Sequence, residues 1–218
     1  MKTKSSSILV LLMLLVMIEG IANAQTYVDL GLPSGTLWAD RNVGAALPED
    51  YGDYFAWGET TTKSNYAWAT LKYCEDNSGD RFSKYNTQSK YGNVDNKTVL
   101  ERSDDAATAN WGSDWCMPTQ QQFQELNDNC TWTWTTRNGK NGYEVKGKNG
   151  NSLFLPAAGC RFGTDLYYAG SYGSYWSSSL AAGRPNYGRS LYFDSGDVNP
   201  GNWDSRQFGQ SVRPVRCR

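Results

Sequence analysis

The stretch from Thr131 to Leu155 admits little besides antiparallel strand. TWTWTT, Thr131 to Thr136, alternates strictly, which places Trp132 and Trp134 on one face of an extended segment. Asn138-Gly139, Asn141-Gly142 and Asn149-Gly150 are turn dipeptides, because asparagine and glycine enter the positive-φ conformations that tight hairpin turns require. The runs between them, Tyr143 to Lys146 and Ser152 to Leu155, are the expected hairpin arms.

The remaining chain reads the same way. With 9 Trp, 14 Tyr and 22 Gly against few aliphatics, it suits a loop-rich β protein and not a helical bundle. Further strands are expected at Thr36 to Ala39, after the Pro33-Ser34-Gly35 turn, and at Asp53 to Gly58, Tyr175 to Ser179, Ser190 to Phe193 and Ser211 to Val215. Ala181 to Arg189 and Asp194 to Gln210 read as loops. Residues 60–110 sustain neither strand nor helix period and read as a long irregular excursion, of the kind that is usually functional or mobile. One helix is legible, Pro118 to Asn129. Thr119 is placed to cap it, Gln122 to complete a capping box, and Phe123, Leu126 and Cys130 form one apolar stripe that belongs to the core.

The N-terminus reads as a leader. Lys2 and Lys4 precede an apolar run from Ile8 to Ile18, and Ala22-Asn23-Ala24 is a small-x-small cleavage pattern. The run is too short for a membrane span, which needs roughly 20 residues. Residues 1–24 are therefore expected to be a signal peptide. Residues 25–218 would form one exported domain without a transmembrane helix, located extracellularly, at the cell surface or in the periplasm. Loss of Lys2, Lys4 and Glu19 moves the formal charge from -1 to -2, which gives no case for nucleic acid or an anionic membrane. The chain has no histidine, which removes the commonest general base, the commonest zinc ligand and every Ser-His-Asp or Cys-His arrangement. Cysteines stand at 74, 116, 130, 160 and 217, an odd number that leaves at least one thiol free or intermolecular. Cys116 and Cys130 look paired by spacing. A helix between them, rising about 1.5 Å per residue, would hold them beyond the roughly 7 Å that a disulfide allows. Cys160 with Cys217 is the alternative, and no CxxC points to metal.

WGSDWCMPTQQQFQEL, NGYEVKGKNGNSLFLPAAGCR, GSYWSSS, SLYF and FGQSVRPVR, in that order after the opening YVDLGLPSGTLWA, resemble the Fibrobacter succinogenes major paralogous domain over about Tyr27 to Arg216. A wider likeness reaches the formylglycine-generating, sulfatase-modifying superfamily. The resemblance implies an α+β, C-type-lectin-like fold: a twisted mixed or antiparallel sheet, few helices and long loops. It also implies a secreted or surface binding module. Similar lectin-like domains serve as hypervariable scaffolds in diversity-generating retroelements, whose variable positions match residues 187–206 here. Two departures limit what carries over. The enzymes' pair of active cysteines near the end of the domain is missing, since Cys217 stands alone after VRPVR. Arg184-Pro185-Asn186 and Asn202-Trp203-Asp204 depart from the motifs of calcium-dependent lectins.

In that fold GSYWSSS is a central strand with Tyr175 and Trp176 on opposite faces, the tryptophan N–H served by neighbouring hydroxyls. The candidate ligand contacts lie further on: Tyr187, Arg189, Tyr192, Asn199, Asn202, Trp203, Asp204 and Arg206, a mixture of rings for stacking and polar groups for directional bonding. Asp194, Asp197 and Asp204 are calcium candidates, set against solvated turn acids; no other cofactor is expected. Of the C-terminal arginines 213, 216 and 218, Arg213 is expected to be structural, paired with a carboxylate and backbone carbonyls. The primary expectation is a non-enzymatic, adhesin-like module for a glycan or protein ligand. The alternatives are an exported enzyme related to the formylglycine-generating group, or a surface assembly subunit bridged through its unpaired thiol.

Overall fold

A computed structural model describes residues 25–217, so the expected leader at 1–24 lies outside the described residues. Most of the regular structure is antiparallel strand. Strands β4 (Thr131–Arg137), β5 (Lys140–Lys146) and β6 (Ser152–Pro156) form the expected meander in the order β4-β5-β6. Asn138 and Gly139 make its first turn with φ of 47° and 78°, the signs a two-residue hairpin turn needs. Trp132 and Trp134 share a face and meet Tyr143 edge-on at 5.5 and 5.2 Å. Asn141-Gly142, expected as a turn, lies inside β5. Gly142 is there for proximity, because a Cβ at that position would stand 2.3 Å from the carbonyl oxygen of Leu155 on the neighbouring strand.

The expected helix is α2 (Gln120–Asn129), preceded by α1 (Ala106–Trp111). Thr119 and Gln122 form the capping box, each side chain bonding the other's backbone N–H. Phe123 and Leu126 are fully buried, and Cys130, just past the helix end, packs partly buried against the same cluster. Each of those two apolar side chains contributes roughly 1.5–3 kcal/mol by leaving water. The helix lies over the sheet of β9 (Tyr172–Leu180), β10 (Tyr187–Asp194) and β11 (Val198–Ser205), in the order β11-β10-β9. The stretch read as a loop from Asp194 to Gln210 thus contains a strand. Its period is hidden by Pro200 and by a one-residue bulge, where Ser190 pairs with Asn202 but Tyr192 with Asn199. Likewise β10 begins at Tyr187, inside the segment read as a loop to Arg189.

The ends of the described chain meet in a third sheet, order β1-β2-β12-β3, from β1 (Tyr27–Asp29), β2 (Leu37–Ala39), β3 (Trp115–Cys116) and β12 (Val215–Arg216). A fourth, β7 (Cys160–Phe162) with β8 (Asp165–Tyr167), is a lone hairpin. The strand expected over Ser211 to Val215 shrinks to β12, because Pro214 has no N–H to give a ladder; its carbonyl still accepts from the Ala39 N–H at 2.8 Å. Cys217 pairs with Cys116 at a Cα separation of 5.3 Å, not with Cys160, because β12 and β3 lie side by side. Closing a span of 101 residues stabilises the fold by about 4–5 kcal/mol in the chain-entropy picture. Cys74, Cys130 and Cys160 are free.

Asp53 to Gly58 is not a strand. Tyr54 to Gly58 are buried in succession, and only Phe55 makes a bridge, to Gln210. The Phe55 carbonyl also accepts from the Trp176 indole N–H at 2.8 Å, so it is a backbone carbonyl and not a hydroxyl that satisfies Trp176. Tyr175 and Trp176 do point oppositely, one into each of two core clusters. Arg213 is wholly buried but has no carboxylate. Its guanidinium donates to Asn42 Oδ1 (2.8 Å) and to the carbonyls of Ala39, Asp40 and Phe154.

The 60–110 segment, though irregular, is packed. Tyr66, Leu71, Phe82, Tyr85 and Leu100 are buried, and Asp104 ties the segment together from within. Tyr73 and Tyr85 donate to Asp104 at 2.7 and 2.6 Å, and Lys72 and Lys84 pair with it. Burial alone would raise the Asp104 pKa, but these four donors outweigh it and hold the carboxyl well below its ordinary 3.8. A depressed pKa contributes stability that is complete above the ordinary carboxylate range and is lost as pH falls through the folded value. Asp104→Asn is therefore expected to cost on the order of 3 kcal/mol at pH 7. In urea melts the gap to the parent should narrow steadily below pH 3.8. A gap independent of pH would contradict the role given to this carboxylate.

Candidate functional site

Directly paired residues on adjacent strands project to the same side, so the register of β9, β10 and β11 sorts the candidate contacts. Arg189 opposes Trp203, and Tyr187 opposes Ser205 two places along. These three candidates share one face. Its other end, with Leu191 and Phe193, is buried under α2. Ser190 opposes Asn202, Gly188 opposes Asp204, and Tyr192 opposes Asn199, all on the other face. The eight candidates therefore do not converge on one site.

On the first face Trp203 is 38% exposed and is held from two directions. The Arg184 guanidinium lies 4.1 Å from the ring centroid, and Tyr187 meets the ring edge-on at 4.7 Å. Arg189 donates to the Gly201 carbonyl at 2.8 Å, which fixes its stem across the bulge. Neither Arg184 nor Arg189 has an acidic partner among the described residues. The result is a half-open tryptophan held between an arginine and a tyrosine, mounted on a strand whose neighbour carries Arg189 opposite it.

On the other face the polar candidates are committed internally. Asp204 Oδ2 accepts from Gln210 (2.8 Å), Ser190 (3.0 Å), Asn202 (3.0 Å) and Ser174 (3.3 Å), which accounts for both Asp204 and the Asn202 amide. The Asn199 side chain caps its own turn by accepting from the Gly201 N–H, and its residue stays exposed. Tyr192 donates to Asp194 at 3.1 Å, and Asp194 also accepts from the backbone N–H groups of Gly196 and Asp197, bonds that hold its pKa below the ordinary value. The three calcium candidates do not gather. Among the described residues no group of three or more acidic, cysteine or histidine side chains is placed to hold a metal ion.

Arg206, expected at the ligand surface, is fully buried. It donates to the carbonyls of Pro185 (2.9 Å), Lys84 (3.3 Å) and Tyr85 (3.4 Å), and its guanidinium lies 4.6 Å from the Phe82 ring centre and 4.9 Å from that of Trp57. The strand ends at Ser205, so the chain turns inward there and takes the arginine with it.

The thiols and the carboxylate nearest the disulfide are each accounted for by local structure. Cys217 is disulfide-bonded. Burial pushes the thiols of Cys74, Cys130 and Cys160 above their ordinary pKa, which keeps them protonated. A cleft beside the disulfide contains Asp105, whose pKa is raised by burial. Both of its oxygens are engaged, one capping α1 at the Thr108 N–H (2.9 Å), the other accepting from the Met117 N–H (2.8 Å).

A group of large apolar side chains, three of them aromatic, lies outside the sequence-based set and stands out in the structure. Phe162, Leu166, Tyr167 and Tyr168 are exposed on and just after the β7–β8 hairpin. The clustering of rings in DLYYAGSY was the available signal. Among known proteins, no family model, no curated sequence and no solved structure matches this chain. Its class therefore rests on the architecture itself, an α+β fold dominated by antiparallel sheet. Among the described residues no helix is long and apolar enough to cross a membrane.

The two arginines of the candidate set separate in a stability measurement. Arg206→Ala should lose about 3 kcal/mol, because it leaves three carbonyls and two ring faces unpartnered in the core. Arg189→Ala should stay within about 0.5 kcal/mol. Equal melting temperatures for the two variants would contradict the burial assigned to Arg206.

Proposed function

We infer that the protein is an exported binding module of C-type-lectin-like architecture, which presents Trp203 and its flanking side chains to a glycan or protein ligand. The observation that carries this is the state of Trp203: a large ring, 38% exposed, fixed by Arg184 and Tyr187 on a hydrogen-bonded strand. A ring that has already lost its rotational freedom costs little more to immobilise on binding, which is why rigid aromatic residues dominate binding hot spots. Arg189, oriented by the Gly201 carbonyl, adds directional donors beside it.

The lectin-like assignment is supported by the sheet that joins β1 and β2 to β12, by the small helix content and by long irregular segments folded back on the core. The ordered sequence blocks quoted above favour membership of the Fibrobacter-type major paralogous domains, and the leader favours export and display at the cell surface.

A glycan array and a pull-down from surface proteins, each run with the parent and with Trp203→Ala, test the proposal. Truncating a central anchor of this type is expected to weaken binding at least about tenfold while leaving the melting temperature nearly unchanged. Equal binding by parent and variant would remove Trp203 from the site.

A further inference from the structure

We propose that a row of tyrosines on the opposite side of the β9–β10–β11 sheet from Trp203 is a stacking platform for a neutral glycan chain. Four rings follow one another: Tyr167 to Tyr168 at 6.2 Å, Tyr168 to Tyr172 at 5.3 Å and Tyr172 to Tyr192 at 5.3 Å, with successive tilts of 41°, 35° and 43°. Tyr172 and Tyr192 stand on the face shared with Ser174 and Asp204, away from Trp203. The row therefore goes beyond the Trp203 site and does not depend on it.

Folding does not account for the outer half of the row. Tyr168 is 65% exposed and Tyr167 40%, and their hydroxyls have no hydrogen-bond partner among the described residues. Tyr168 also adopts φ of 57°, a region that bulky residues enter at a cost and that tends to occur at functional sites. The turn that carries it is rigid. Gly159 lies so close beneath it that a Cβ there would stand 2.1 Å from the Tyr167 carbonyl oxygen. Backbone bonds run from Gly170 N–H to the Ala157 carbonyl (2.7 Å) and from Gly159 N–H to the Tyr172 carbonyl (2.7 Å). At the inner end Tyr172 is hydrogen-bonded to the Cys160 sulfur at 2.8 Å, and Tyr192 donates to Asp194.

The chemistry selects the ligand. Rings in a row suit the C–H faces of successive sugar units, and Tyr167 and Tyr168 add free hydroxyls at their polar tips. The inner end of the row is acidic: Asp194 is paired with Tyr172 across the strands and accepts from Tyr192, and Asp197, bonded to Asp194 through the backbone, is exposed with no cationic partner among the described residues. Carboxylates accept hydrogen bonds from sugar hydroxyls but repel uronate and sulfate groups, so the platform fits a neutral polysaccharide.

Affinity electrophoresis tests this in native gels containing xyloglucan, galactomannan, mixed-linkage β-glucan or, as the anionic arm, polygalacturonate. At least one neutral polysaccharide should retard the intact protein. The double variant Tyr167→Ala/Tyr168→Ala should weaken that interaction by roughly tenfold or more, while Tyr168→Phe, which keeps the ring, stays within about threefold. The proposal is overturned if no neutral polysaccharide retards the protein, if polygalacturonate retards it most, or if the double variant, its melting temperature confirming the fold, binds like the parent. Loss of retardation in Trp203→Ala alone would support the Trp203 site and overturn this one.

Discussion

A guanidinium buried without a carboxylate is the constraint on which the rest of this structure depends. Arg206 joins three stretches with no regular structure of their own: the 84–85 turn, the Pro185 turn and, through ring contact, Trp57 and Phe82. Desolvation lowers its pKa to about 10, so it is still charged at neutral pH. Removing such a charge from water costs several kcal/mol, and only well-placed carbonyls and ring faces offset the cost. The segments it bonds are thereby held in one arrangement. Arg213 repeats the device in the other half of the core, bonding the 39–42 segment to β6.

This explains how a chain with so much irregular backbone can have two stiff outer surfaces. The β9–β10–β11 sheet is backed by α2 on one side and by the 53–58 and 206–211 segments on the other. Trp176, Trp57 and Phe55 fill the space between, and Gly188 gives the room, since a Cβ there would lie 2.5 Å from the Trp57 ring. The two exposed ring groups sit where this backing ends: Trp203 at one margin, the tyrosine row at the other.

Local signals in the sequence are reliable where the cause of structure is local. The Asn138-Gly139 turn and the Thr119–Gln122 capping box depend on neighbours a few residues away, and both are legible from the amino-acid order alone. The failures have distant causes. Strand β11 exists because β10 lies beside it, and its bulge and Pro200 erase the alternation that would have revealed it. Gly142 looks like a turn residue but serves a close approach by Leu155. The Cys116–Cys217 pair depends on which strands become neighbours, which spacing alone cannot give. Of the candidate contacts, Trp203 lies half open on the sheet with Tyr187 against it, whereas Arg206 is inside. A polar residue just beyond the end of a strand can turn either way, and here backbone carbonyls take it inward. The 60–110 segment reads as an excursion because its order comes from Asp104 and Arg206, not from any period.

Amide hydrogen exchange followed by NMR is the most direct test of the claim that buried polar side chains make the irregular segments as firm as the sheet. The amides of Phe82 and Leu100 bond to the carbonyls of Tyr91 and Ser178, and that of Trp176 to Ser211. If the account is right, Phe82 and Leu100 exchange with protection close to that of Trp176, through the same global opening. Rapid exchange at Phe82 and Leu100 while Trp176 stays protected would mean that the 60–110 segment opens independently, and would contradict it.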